Sequence, residues 1–452
     1  MTLKHEDGTL SLWARCGKRG QDALVIQGPL CELVRTQRAR IFAVTWLAYA
    51  AFYLCRKNLS VAIPALEASG VFTRYQLADI LFAYSLAYTA GQLFGGSLSD
   101  RFSPRRLVTT GMLLSAAATF AMGFSGLYSP FIALAVINGA GQSMGWPGLV
   151  KNMASWFDAT RRGTVMAWWS TNYVLGGFLA TVFATWVIVH PTLLSVWKWQ
   201  RAFWLPSTLL SAIALIFFAF DRDGPKEEQA QAEQEARQLT ASDRRGNYIR
   251  LLKRPIVWVF ALTAALLKIV RYSFLFWLPL YMTDQLRYRM SDAGYLSSLY
   301  ELVGFGGALA AGYLSDRAAH GKRLPVACLM QAGLACVCFL YTGMAAAGGW
   351  WNALGVALAG IFTYGPDTLM QGAAAQDVGE RELAATASGF ISGSASVGQL
   401  LSPYLVAGLT KAAGWNRLFL IFVFIAMFSA SVNAWAWWRG YEGRADAGTT
   451  TA

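Results

Sequence analysis

Long apolar runs, separated by short polar segments, recur along the whole chain. Examples are Ile41 to Tyr53, Leu107 to Phe124, Val165 to Val189, Phe203 to Phe220 and Leu418 to Trp438. A bilayer core about 30 Å thick is crossed by roughly 20 helical residues, because each residue adds 1.5 Å to a helix. The runs therefore predict an all-α, polytopic membrane protein.

The composition agrees with this class of protein. Hydrophobic residues make up 55% of the chain and charged residues 14%, whereas a soluble domain has roughly 45–50% apolar and 25% charged residues. In a soluble protein the formal charge of +13 would suggest nucleic-acid binding. Here the basic residues lie between the apolar runs, where lysine and arginine mark cytoplasmic loops, so no nucleic-acid partner is expected.

Splitting the apolar runs at their polar interruptions predicts about twelve spans. Their limits are 41–66, 76–98, 106–126, 129–155, 163–189, 201–220, 256–282, 292–314, 324–346, 350–375, 384–410 and 416–438. Lysine and arginine concentrate before the first span and in the loops that follow spans 2, 6 and 8. Both termini are therefore predicted to be cytoplasmic.

The polar segments divide the chain into five parts. These are a cytoplasmic extension at 1–40, a six-helix bundle at 41–220, a linker at 221–255, a second six-helix bundle at 256–438 and a cytoplasmic tail at 439–452. The extension lacks a compact apolar stretch that ends in a small-residue cleavage site, which argues against a removable signal peptide.

A repeated loop motif supports the division into two bundles. Ser97 to Arg106 reads SLSDRFSPRR, and Tyr313 to Arg323 reads YLSDRAAHGKR. Each copy follows the second span of its half. Two homologous six-helix halves explain the repeat.

The charged residues of the two loops are Asp100, Arg101, Asp316 and Arg317. An acid at this point is stabilised by the positive end of a nearby helix and by arginines across the loop. We expect these contacts to latch one conformation. The motif resembles the signature loop of the major facilitator superfamily, and this resemblance implies two bundles that rock around a central site.

Two arginines lie inside predicted spans. Arg56 and Arg271 each lie 15 residues beyond the start of the first span of their half, at Ile41 and Ile256, which is about 22 Å along the helix. In a pseudo-symmetric pair of bundles these helices meet near the axis, so both guanidinium groups are predicted to line one cavity. Each arginine at the centre of a span costs roughly 2.5–3.5 kcal/mol, and the pair calls for a compensating anion or acid.

Bases outnumber acids at the predicted membrane depth. The bases are Arg56, Lys57, Lys268 and Arg271, and the acids are Glu301 and Asp367. One interpretation pairs each arginine with an internal carboxylate, but two positive charges are then left over, which favours an anionic substrate. The planar fork of arginine suits phosphate, and a carboxylate or sulfonate also fits, so the pair specifies an oxyanion.

Aromatic residues accompany the first arginine. Tyr49, Tyr53 and Arg56 follow an i, i+4, i+7 series and are predicted to share the helix face that lines the cavity. For most tyrosines of the chain, packing or an interfacial belt is the alternative interpretation.

Five segments carry a more specific family resemblance. They are YAAFYLCRKNLSVAIPAL at Tyr49 to Leu66, GQSMGWPG at Gly141 to Gly148, LKIVRYSFLFWLPLY at Leu267 to Tyr281, YGPDTL at Tyr364 to Leu369 and ATASGF at Ala385 to Phe390. These segments resemble the organophosphate:phosphate antiporter family, which includes the bacterial glycerol-3-phosphate and hexose-phosphate exchangers. The third segment is also similar to the animal sugar-phosphate exchangers. The resemblance covers essentially Ile41 to Trp438.

The resemblance implies roles for individual residues. In that family an arginine from each half binds phosphate, and Arg56 and Arg271 fall on those positions. The remaining implied roles are cavity aromatics at Tyr49, Tyr53, Tyr88 and Trp146 and a charge pair of the transport cycle at Lys57 and Glu301.

Two positions depart from the glycerol-phosphate exchangers. Gln92 lies where they have a cavity lysine, and Tyr173 lies where they have a histidine. Lys268, one turn before Arg271, resembles the animal exchangers and is the candidate for the missing charge. All three residues are predicted to contact substrate, and the particular substrate does not transfer with the resemblance.

We expect a secondary transporter that exchanges a sugar phosphate, glycerol phosphate or phosphoglycerate for inorganic phosphate by alternating access. A transporter-like receptor for a sugar phosphate and a proton- or sodium-coupled organic-anion symporter are the alternatives. The sequence contains no nucleotide-binding loop, zinc motif or nucleophile elbow, so no enzymatic activity, metal or cofactor is expected. A monomer in a bacterial inner membrane is expected.

Overall fold

The computed structural model describes residues 29–157, 165, 166, 168–192, 196–223, 251–319 and 321–441, with side chains throughout except at 29–35, 93–101, 154, 372–386 and 388. Residues 1–28 of the predicted extension, 224–250 of the predicted linker and the tail from 442 onward lie outside the described residues. We call residues 29–223 the N half and residues 251–441 the C half.

The described residues form helices joined by short connections, and they contain no strand. The helices are α1 Pro29–Phe52, α2 Leu54–Ala68, α3 Arg74–Arg101, α4 Pro104–Met122, α5 Tyr128–Ser143, α6 Gly145–Trp156, α7 Thr171–Val189, α8 Arg201–Phe220, α9 Pro255–Asp284, α10 Met290–Tyr313, α11 Leu324–Ala346, α12 Gly349–Thr368 and α13 Ala374–Trp438. Single π-helical turns follow α10 at Leu314–Ala318 and α12 at Leu369–Ala373. The prediction of an all-α membrane protein is confirmed.

Five of these helical stretches are long and apolar enough to cross a membrane by length and composition. They are Thr171–Val189, Arg201–Phe220, Pro255–Asp284, Leu324–Ala346 and Gly389–Trp438.

Several helices begin where the local sequence favours a helix N-terminus. Ser103 caps α4 by accepting a hydrogen bond from the Arg106 backbone, with Pro104 as the first helical residue, a position at which proline loses no intrahelical bond.

Two predicted spans are each divided into two helices. The first, 41–66, is interrupted at Tyr53 between α1 and α2, and the fourth, 129–155, is interrupted at Met144 between α5 and α6. As a result, Pro147 lies in the first turn of α6 and not in a helix interior. A proline in the first turn of a helix loses no hydrogen bond of that helix.

The last helix, α13, reverses direction near its middle and so forms a hairpin of two helical arms. Ile391 and Ala436 lie in one apolar cluster with Ile256, whereas Trp415 reaches the far end of α9, where its indole donates to Asp284 over 2.8 Å. Between them, Gly414 has a φ of +78°, which lies in the left-handed region that glycine enters without steric cost. This reversal separates the predicted spans 384–410 and 416–438.

Apolar packing shows which end of the molecule joins the halves. One large core mixes residues of both halves, such as Leu66 and Phe203 with Trp277 and Phe419. A second core lies within the N half, around Tyr49 and Phe217, and a third lies within the C half and includes Ile256. The halves therefore share a core at one end, which we call the closed end, and have separate cores at the other, which we call the open end.

Polar contacts reinforce the closed end. Arg74 of the N half donates to Glu67 over 2.8 Å, to Asp284 of the C half over 2.9 Å and to Thr410 of the C half over 3.1 Å. A further carboxylate, Asp79, accepts hydrogen bonds from Tyr128 of its own half and from Tyr404 of the other. These bonds tie the halves together beyond the apolar core.

Candidate functional site

Arg56 lies just after the interruption between α1 and α2. Its Nε and Nη2 both donate to Gln142 Oε1, over 3.2 and 3.1 Å. Its guanidinium also lies over the rings of Tyr53 and Tyr88, 4.8 and 4.7 Å from their centroids. Within the described side chains no carboxylate pairs with Arg56, so a neutral amide and aromatic faces surround this cation.

The helix interruption itself holds Gln142. At the break the Arg56 N–H bonds to the Tyr53 carbonyl, and the Phe52 carbonyl instead accepts from Gln142 Nε2 over 2.9 Å. The same amide nitrogen donates to Ser115 Oγ over 3.0 Å. Because a buried carbonyl without a donor is costly, this bond fixes Gln142 and, through it, the position of Arg56.

Arg271 on α9 has a different environment. Its Nη1 forms an ion pair with Asp367 Oδ2, and its guanidinium stacks on Tyr364 at 4.4 Å. Its Nε is buried and has no hydrogen-bond partner among the described residues. An arginine that has five donors thus keeps donors for a further acceptor.

Asp367 also binds a lysine. Lys268 Nζ lies 3.4 Å from Asp367 Oδ1, and Gln371 donates to the same oxygen. Lys268 and Arg271 are three residues apart on α9, a spacing that puts both on one helix face, and Tyr272 lies beside both. One carboxylate therefore serves two cations in the C half.

Lys57 and Glu301 form a separate ion pair between the halves. The Lys57 Nζ lies 3.4 Å from Glu301 Oε2 and donates to the Leu275 carbonyl over 2.8 Å. Lys57 is 4% and Glu301 1% exposed. Gly177 makes room for the acid, because a Cβ there would lie 2.2 Å from Glu301 Oε1.

These pairings leave two positive charges. Lys57 with Glu301 is neutral, and Asp367 offsets only one of its two cations. Arg56 has no acid among the described side chains. The structure pairs Arg271 with Asp367, but it pairs Glu301 with Lys57 and not with an arginine. The described side chains therefore carry the expected excess of two positive charges.

The two arginines face one space. Tyr53 of the N half and Tyr272 of the C half each lie within electrostatic range of both Arg56 and Arg271. Tyr88 of the N half likewise lies within electrostatic range of Lys268. We call this space, with the residues around it, the central site.

The other residues singled out from the sequence fall at several places. Gln92 donates to Tyr88 Oη over 2.7 Å, and Tyr173 lies within electrostatic range of Arg271 and Asp367. Trp146 and Tyr49 pack edge to face, with centroids 5.0 Å apart. Tyr49 is 5% exposed, so it supports the aromatic wall from behind.

The signature-loop residues lie away from the central site. Asp316 pairs with Arg323 over 2.6 Å, and the Arg317 guanidinium lies over the Tyr313 ring, both in the π-helical turn at the open end. The side chains of Asp100 and Arg101 lie outside the described residues.

Four residues of the central site were not among the predicted contacts. They are Gln142, Tyr272, Tyr364 and Asp367. In the sequence, Asp367 is identifiable only as an available acid, and Tyr364 only as part of a family segment. Tyr272 follows Arg271 in sequence, which is a usable signal, whereas Gln142 gives no local signal because its role depends on a helix break 90 residues away.

The model of the Major Facilitator Superfamily matches residues 45–392. The chain is 27% identical to the glycerol-3-phosphate transporter of Bacillus subtilis, over 89% of this chain and 93% of that protein. It is 28% identical to the membrane sensor protein UhpC of Salmonella typhimurium, over 88% and 90% of the two chains. It is 26% identical to the glucose-6-phosphate exchanger SLC37A2 of Bos taurus, over 85% and 91%.

Solved structures show the same fold. A bacterial homologue of the human lysosomal transporter Spinster, in an inward-facing and unoccupied conformation, matches with a TM-score of 0.73 at 14% identity, over 88% of this chain and 97% of that one. The D-xylose-proton symporter matches with a TM-score of 0.69 at 14% identity, over 87% and 96%. The relatives are named as a transporter, a sensor and an exchanger, and the chain is accordingly not an enzyme. The match of the family model over residues 45–392 shows that the chain belongs to the Major Facilitator Superfamily, and these relatives fit the organophosphate:phosphate antiporter family within it.

Proposed function

We propose that this protein is a secondary transporter that exchanges a phosphorylated organic anion for inorganic phosphate by alternating access. The observation that carries the proposal is the excess of two positive charges at a half-buried site between the halves, with two arginines on opposite sides. Phosphate esters are dianions near neutral pH, and two arginine forks match their oxygens. The relatives named for glycerol-3-phosphate and glucose-6-phosphate support this substrate class.

Exchange follows from the charge of the site. When the site is empty, Arg56 and the Lys268–Arg271–Asp367 group hold like net charges in a poorly solvated space, so closing the halves around them is costly. A bound phosphate dianion offsets both charges and permits closure. Each half-cycle then requires an anion, which couples the outward movement of one substrate to the inward movement of the other.

We assign the open end to the cytoplasm. Basic residues lie at the open-end termini of α4, α9 and α13 or next to them; they are Arg105, Arg106, Lys253, Arg254 and Arg439. Cytoplasmic loops are enriched in lysine and arginine. The conformation is then inward-open and both termini are cytoplasmic. The bacterial relatives support a plasma-membrane location.

The proposal predicts that Arg56→Lys and Arg271→Lys each reduce exchange by about tenfold to a hundredfold. Lysine keeps the charge but cannot form two parallel bonds to one phosphate, and a lost charged hydrogen bond is worth about 1.5–3 kcal/mol. The assay is uptake of radiolabelled phosphate into proteoliposomes preloaded with phosphate or glycerol phosphate. The matched control is Arg439→Lys, because Arg439 stacks on Trp435 and Trp438 at the open end and should retain wild-type uptake.

Three results would contradict the proposal. The first is uptake of phosphate into liposomes without internal anion that is as fast as uptake into loaded liposomes. The second is normal exchange by either lysine variant. The third is uptake that follows an imposed proton gradient regardless of internal phosphate. The last result would indicate a proton-coupled organic-anion symporter.

A sensor is the second candidate function, because two of the relatives are named membrane sensor proteins. A sensor would bind the phosphate ester at the same site without completing the cycle. Purified protein that binds a phosphate ester, measured by a ligand-dependent rise in melting temperature, but shows no counterflow in liposomes would identify this function.

A further inference from the structure

The two halves differ at one position of the central site. Each half has a proline in the corresponding predicted span, Pro147 in α6 and Pro366 in α12. The next residue is Gly148 in the N half and Asp367 in the C half. The halves therefore present matched arginines, but only the C half adds an acid after its proline.

Asp367 is 7% exposed and uses its two oxygens for different cations. Oδ2 pairs with Arg271, and Oδ1 lies 3.4 Å from Lys268 Nζ. Arg271 retains a buried Nε without a partner among the described residues. A phosphate oxygen can therefore bond to Arg271 while Asp367 remains paired with Lys268, and the acid need not be displaced from the site.

The summed charge of the central site predicts which substrate charge the site prefers. Arg56, Lys268 and Arg271 contribute three positive charges and Asp367 one negative charge, whereas the Lys57–Glu301 pair is neutral. The site is neutralised by a dianion, which is the charge of a phosphate monoester whose remaining groups are uncharged. An ester that also carries a carboxylate would leave one uncompensated negative charge at membrane depth.

We propose that Asp367 is a specificity residue that selects phosphate esters by total charge. This inference rests on the proposed function and narrows it to phosphate monoesters of uncharged alcohols or sugars, against carboxylate-bearing esters such as phosphoglycerate. Asp367 acts through its fixed charge, opposite Lys268, and not through a bond to the organic part of the substrate.

The test compares Asp367→Asn, Lys268→Gln and the double variant with the wild type. Phosphate-loaded proteoliposomes take up radiolabelled phosphate at pH 7.5 in the presence of glycerol 3-phosphate, a dianion, or 3-phosphoglycerate, a trianion. The measured quantity is the ratio of the two inhibition constants. We expect the wild type to favour the dianion, and Asp367→Asn to shift the ratio at least about tenfold toward the trianion, a change of about 1.4 kcal/mol.

The lysine variant and the double variant separate charge selection from a purely structural role. Lys268→Gln removes one positive charge and should shift the ratio further toward the dianion. The double variant restores the wild-type sum of charges and should restore the wild-type ratio. A structural role alone would lower all uptake rates in the variants and leave the ratio unchanged.

The failures are distinguishable. If the wild type exchanges phosphate but none of the variants changes the ratio, the charge-selection inference is wrong and the proposed function stands. If the wild type exchanges no phosphate, the proposed function fails first. Should Asp367→Asn prove inactive, Lys268→Gln and the double variant still decide, because an unchanged ratio in the first or a shifted ratio in the second overturns the inference.

Discussion

Arg56 and Arg271 hold corresponding positions in the first predicted span of each half but have different partners. Arg271 has Asp367 and an aromatic face, whereas Arg56 has the amide oxygen of Gln142 and two aromatic faces. The amide orients Arg56 without reducing its charge. Gln142 thus acts as a positioning residue, and its other contacts tie that position to the break in the first span.

Replacement of Gln142 by leucine should raise the KM for phosphate about tenfold or more and lower the stability by about 1–3 kcal/mol. The variant frees Arg56 and leaves the Phe52 carbonyl without the donor it has in the native protein. Counterflow kinetics and a thermal-unfolding assay measure the two effects.

The matched control is Gln331→Leu. Gln331 is fully buried, and its Oε1 accepts from Asn433 over 2.7 Å within the C half. This variant should lose stability but keep the KM for phosphate. Equal KM values for both leucine variants would show that Gln142 does not position Arg56.

The positions of the two arginines could be predicted from the sequence, but their partners could not, for a physical reason. A charge inside an apolar span is visible locally, and helical rise gives its depth. Which acid or amide it meets depends on how helices far apart in sequence pack. Asp367 was visible as an acid, but its choice of Arg271 and Lys268 over Arg56 was not.

At the scale of helices, the ends and interruptions carry specific polar contacts. The end of α8 is an example. Asp221, directly after the last helical residue, is fully buried and accepts two contacts from Asn152 Nδ2, at 2.8 and 2.9 Å. Burial raises the pKa of Asp221 to about 7, because the charged carboxylate loses its hydration.

This carboxyl should make the protein less stable as the pH rises. The unfolded chain releases the proton near pH 3.9, whereas the folded protein holds it to about pH 7. Between these values the folded state binds more protons, so the contribution of Asp221 declines with increasing pH and levels off above 7. The melting temperature should therefore fall between pH 6 and pH 8.

Asp221→Asn should remove this decline and raise the stability at pH 8 by about 1–3 kcal/mol. An asparagine cannot ionise, and its amide offers a donor to Asn152 Oδ1, which is buried without a partner in the structure. Melting temperatures of both proteins at pH 6 and 8 measure the effect. An identical fall in the variant would assign the pH dependence to another group.

Helix positions were more accessible to sequence reasoning than helix breaks. Apolar length predicts a span because it must match the bilayer. The break at Tyr53 is stabilised by a distant donor, Gln142, which bonds to the Phe52 carbonyl, so the local sequence does not require it. The reversal at Gly414 is intermediate, because a glycine between two apolar runs is a visible turn signal.

At the scale of the whole molecule, the shared core and the polar bonds of the closed end favour the conformation seen here. Alternating access requires that end to separate while the open end closes. Arg74 makes several of the polar contacts that hold the closed end together. It donates to Asp284 and Thr410 of the other half and lies over the Trp415 ring at 5.6 Å. Its removal should therefore change the balance between conformations.

Arg74→Ala should increase the population that is open at the present closed end by about tenfold or more, because each lost bond to a charged group is worth about 1.5–3 kcal/mol. Spin labels at Thr73 and Lys411, in a background without native cysteines, report the separation by pulsed electron resonance. Arg417→Ala is the control, because Arg417 is exposed at the same end and has no ion pair within the described residues. A longer distance component in Arg74→Ala alone would establish that Arg74 holds the halves together. Equal distance distributions in both variants would show that the apolar core, and not Arg74, keeps this end closed.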